Sequence, residues 1–165
     1  MTDLGPYRFG AALRRHPLQR ALDAKMAGDF SRADVLIEGV DHSGPSFEAL
    51  LFANNDGADA ATPRDDDHGY LGKFDIFGHG FCFGDAGHCQ VNNRGKAPTD
   101  LRGPHPLTPT DVSVVVTEPL RRLLAKGRTL SSITFVPIAI GVAGDEAAAP
   151  PEILRYKSLR VVTYA

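Results

Sequence analysis

The fold of this chain is limited most by how its apolar residues are packaged. They come as short β-branched or aromatic runs between glycine, proline and asparagine turns. The runs are 33–40 (ADVLIEGV), 46–53 (SFEALLFA), 70–77 (YLGKFDIF), 112–116 (VSVVV), 132–139 (SITFVPIA) and 154–164 (LRYKSLRVVTY). No regular strand–helix alternation separates them, and a parallel sheet needs such crossovers. The expected fold is mainly β: an antiparallel β-sandwich or partial barrel of about six to seven strands.

Two short helices complete this reading. Pro17 suits the first position of a helix. Leu18, Ala21, Leu22 and Met26 then follow at helical spacing, with Gly28 as a stop, which predicts a helix over 17–27. Thr117 is placed to cap a second, with Leu120, Leu123 and Leu124 on its apolar face and Gly127 at its end. The chain divides into an N-terminal arm and short helix, 1–29, and a β-domain, 30–165. Both helices are expected at the edges of the sandwich, and the N-terminal segment is expected to pack on the sandwich or on a partner.

Composition removes several function classes. The 165 residues suit one domain with a sizeable core, and the formal net charge of −2 gives no support to nucleic-acid binding. No apolar run reaches the roughly 18 residues of a bilayer span. The first residues lack a basic region followed by an apolar core, so a cytoplasmic location is expected, with export beside a partner as the alternative. GHGFCFGDAG matches neither nucleotide fingerprint, and no nucleophile–base pair stands out. The aspartates of 54–69 (Asp56, Asp59, Asp65, Asp66 and Asp67) lack calcium-loop spacing and read as a solvated loop.

The order of motifs carries a resemblance. ADVLIEGVDHSG is followed by SFEALLFANN, GYLGKFDIFGHG, CFGDAGHC, GPHPLTP, DVSVVVTEPLRRLLAKG and SSITFVPIA. This order resembles the C-terminal domain that follows the catalytic domain in tyrosinases, plant polyphenol oxidases and molluscan haemocyanins. Lys73-Phe74-Asp75-Ile76 stands where the plant domain has a KFDV-type strand. Ile133-Thr134-Phe135-Val136-Pro137 is similar to its VTLVP-like run, and bacterial tyrosinase-like chains share a cluster similar to Gly78–Cys89. The resemblance covers roughly 30–164. It implies a β-sandwich that packs over a partner's copper site and shields it, sometimes by inserting a side chain.

The resemblance does not extend to the oxidase. A type-3 copper pair takes six histidines on a helical bundle. The six histidines here are His16, His42, His68, His79, His88 and His105, and none lies four residues from another. No catalytic residue is carried over. The expected role is a non-catalytic accessory domain or subunit that covers, stabilises or helps load a copper centre. The expected partner is a tyrosinase-like copper oxidase domain, or a second copy in a homo-oligomer.

The concentrated chemistry lies at His79, Cys82, His88 and Cys89, with His105 as a more distant candidate. Three readings stand. Glycines at 78, 80, 84 and 87 allow a hairpin that faces Cys82 to Cys89 as a disulfide. Thiolates and imidazoles also suit copper or, alternatively, zinc, which would make the chain a stand-alone metal-binding protein or metalloenzyme. Adjacent His88 and Cys89 share one metal only where the backbone turns. The third reading is a pair of free buried thiols. Phe77, Phe81 and Phe83 read as core, with a shielding side chain as the alternative.

Overall fold

The structure is a computed structural model, and it describes residues 15–27, 29–79, 107–140 and 153–165. Its elements are β1 (Arg15–Leu22), α1 (Ala24–Ala27), β2 (Arg32–Val40), β3 (Phe47–Ala53), β4 (Tyr70–Ile76), β5 (Thr110–Val115), α2 (Thr117–Ala125), β6 (Leu130–Ala139) and β7 (Ser158–Tyr164). The seven strands form two antiparallel sheets, β1-β6-β3-β4 and β5-β2-β7. Among the described residues the sheets do not close into a barrel. No described helix is long and apolar enough to cross a membrane.

Alternation explains the sandwich. Ala33, Val35 and Ile37 of β2 face Phe47, Ala49 and Leu51 of β3 across one buried core, which Ile133 and Phe135 of β6 join. Burying each large side chain is worth about 1.5–3 kcal/mol. β4 keeps its core contacts through a bulge. Leu51 pairs with Gly72 and Phe52 with Tyr70, so Leu71 is an extra residue, and both Leu71 and Phe74 reach the core.

The outer face of the larger sheet is also covered. Leu50, Phe52 and Val136 form a second cluster with Ala58, which is 3% exposed. The 54–69 segment is therefore more than a solvated loop. Its carboxylates act as tethers: Asp56 pairs with Arg15, Asp66 with Arg122 and Asp67 with Lys126. Asp65 Oδ1 accepts hydrogen bonds from the backbone N–H groups of Asp67 and His68 and from the His68 ring.

Two expectations are corrected. Residues 15–22 are a strand where a helix over 17–27 was expected, and only Ala24–Ala27 is helical. Leu18 and Leu22 lie four apart, so they share a face in a helix and in a strand alike. Pairing with β6 decides for the strand. Pro17 fits because β1 is an edge strand with a bulge. Thr117 does not cap α2: its hydroxyl accepts the Ala33 N–H at 3.0 Å, and the cap residue Val116 makes no side-chain bond. The helix does bury Leu120, Leu123 and Leu124 and end at Gly127, whose φ is 69°. It closes the end of the sandwich where β2, β4 and β6 begin.

Candidate functional site

The opposite end of the sandwich, where β2 and β4 finish and β3 begins, holds the described part of the Cys/His region. The turn from β2 to β3 is fixed first. Asp41, with its side chain 2% exposed, pairs with Arg155. Its Oδ1 also accepts the Ser43 N–H at 2.9 Å.

Residues 77–79 lie along this turn. The Gly78 N–H donates to Ser46 Oγ at 3.0 Å, and the His79 N–H donates to the His42 carbonyl at 2.9 Å. A side chain at 78 would place its Cβ 2.2 Å from the Gly44 carbonyl oxygen, so glycine is required by the close approach. The His42 and His79 rings meet edge to face at 5.0 Å between centroids.

Hydrogen bonding selects the tautomer of both rings. His42 Nε2 lies 2.7 Å from the Thr108 carbonyl oxygen. A carbonyl only accepts, so Nε2 carries the hydrogen and Nδ1 of the neutral ring keeps a lone pair. His79 Nδ1 makes a longer approach, 3.4 Å, to the His42 carbonyl, which leaves its Nε2 lone pair free. Ring N–H groups anchored on backbone carbonyls are the usual support of metal-ligating histidines. Imidazole nitrogens suit copper and zinc, but a protein site for either takes three or four donors. Among the described residues no group of three or more His, Cys, Asp or Glu is placed to hold a metal ion.

Of the residues expected at the site, His79 is described, and Cys82, His88, Cys89 and His105 lie outside the described residues, as do Phe81 and Phe83. His42 was missed from sequence because nothing in its spacing joins it to His79. The β3–β4 pairing brings the two together. Phe77 is not core. It is 83% exposed, with its ring edge-on to His79 at 6.1 Å. Its signal was present, since Phe74 and Ile76 face inward and alternation points Phe77 outward.

No family model, curated protein or solved structure matches the chain. The functional reading therefore rests on this end of the sandwich and on the order of motifs along the sequence.

Proposed function

We propose that the chain is a non-catalytic accessory domain or subunit of a tyrosinase-like copper protein, covering or helping to load the partner's copper centre. The observation that carries this reading is Phe77: an aromatic ring left in water at 83% exposure, beside the His42 and His79 imidazoles. Exposed aromatic rings are frequent anchors for a partner's pocket. The two-sheet β architecture is the one the resemblance leads one to expect. None of the six histidines lies four residues from another in sequence, so in this proposal oxidation is left to the partner.

Co-expression with a tyrosinase-type catalytic domain from the same organism tests the proposal. A stable complex with low phenol oxidase activity is expected. Phe77→Ala should weaken association about ten-fold or more and raise that activity. Association and activity unchanged by Phe77→Ala would overturn the shielding role.

A second reading is favoured by the two free imidazole lone pairs. The isolated chain would bind copper or zinc through His79 with Cys82, His88 and Cys89, and His42 would join them. Native mass spectrometry decides. A stoichiometric metal adduct lost in His42→Ala and His79→Ala supports it. A metal-free mass lighter by two hydrogens indicates the Cys82–Cys89 disulfide and rejects it.

A further inference from the structure

Among the described residues β1 ends one sheet and β7 the other, and residues of both strands line a seam between the sheets. A cavity of about 340 Å³ opens there. That volume lies within the range of roughly 300–1,000 Å³ typical of small-molecule sites. Leu18, Leu159 and Val161, which pack against the core, supply an apolar floor. Arg20, Lys157 and Arg160 supply the rim, and among the described residues none that lines the cavity is acidic.

The charges are unbalanced there. Arg160 is held by Glu38 at 2.7 Å. Arg20 and Lys157 have no anionic partner among the described residues. His16 lines the same cavity, and its Nδ1 lies 3.2 Å from the Tyr156 hydroxyl. Burial pushes the Tyr156 hydroxyl up to about 12, so it stays protonated and can donate to Nδ1. The neutral ring then carries its hydrogen on Nε2, an additional donor for an oxygen ligand.

We propose that the β1–β7 seam binds a small organic anion with an apolar body, of the alkyl- or aryl-carboxylate class. The carboxylate meets Arg20 and Lys157, and the body lies on Leu18, Leu159 and Val161. This site is on a different side from the Phe77 end and stands independently of the accessory-domain reading.

Amide NMR spectra of the full chain, titrated with hexanoate, hexan-1-ol and inorganic phosphate, test it. Hexanoate should shift amides of β1 and β7 and bind about ten-fold more tightly than either control, since each control offers only half of the contacts. The double substitution Arg20→Gln, Lys157→Gln should weaken hexanoate about ten-fold and leave hexan-1-ol unchanged. Unshifted amides elsewhere would show that this variant is folded. Absent or scattered hexanoate shifts, phosphate binding as tightly as hexanoate, or a double variant that binds hexanoate equally well would each overturn the proposal.

Discussion

Asn54 adopts a left-handed backbone, φ 52°, where β3 turns into the 54–69 segment. Its side chain bridges to the start of β6. Oδ1 accepts the Ser131 N–H and hydroxyl, both at 2.8 Å, and the Ser132 N–H at 3.1 Å, while Nδ2 donates to the Thr129 carbonyl at 2.6 Å. Asparagine tolerates the left-handed region better than most residues. Asn54→Ala should lose these bonds and add backbone strain, costing about 2–3 kcal/mol in denaturant unfolding. Asn54→Asp keeps the acceptor and should cost less. Equal losses for the two variants would show that the acceptor does not matter.

The elements were legible in sequence where alternation was strong. β2 through β6 and α2 lie within a few residues of their expected positions because each buries one face against the core. β1 was not, since Leu18 and Leu22 satisfy both periods and only the partner β6 selects one. The site was half legible. His79 was read from its cluster, whereas His42 needed the register of β3 on β4, which no local pattern encodes. Thr117 shows the same limit: it looks like a cap and instead secures the start of β2. Thr117→Val keeps the shape and strands the Ala33 N–H, so it should cost about 1–2 kcal/mol. Hydrogen exchange at Ala33 should quicken in that variant. Unchanged exchange there would remove the role assigned to the hydroxyl.

For the whole molecule, acid should act in two stages. Burial holds His16 below its ordinary value of 6.5, so the unfolded chain takes up the proton first. Stability from this residue is present at neutral pH and is lost as pH falls through 6.5. Hydrogen bonding from Lys73 lowers Glu48 from 4.5, and hydrogen bonding from His68 lowers Asp65 from 3.8. Their contributions persist above those values and are lost as pH falls through and beneath them. A plot of Tm against pH should therefore decline in an upper and a lower stage, and His16→Asn should flatten only the upper one. An upper stage that survives in His16→Asn assigns it elsewhere.

The strand order has a consequence for how the protein is made. β3 and β4 pair with each other, but β1 pairs with β6, and β2 lies between β5 and β7. A ribosome releases β2 well before the segment Ser158–Tyr164. Until that segment has been synthesised, one edge of β2 has no backbone partner, and its Val35 and Ile37 lack part of their cover. A cell producing this chain must keep a sticky central strand sheltered until that segment emerges, so the yield of folded protein depends on what attends the nascent chain.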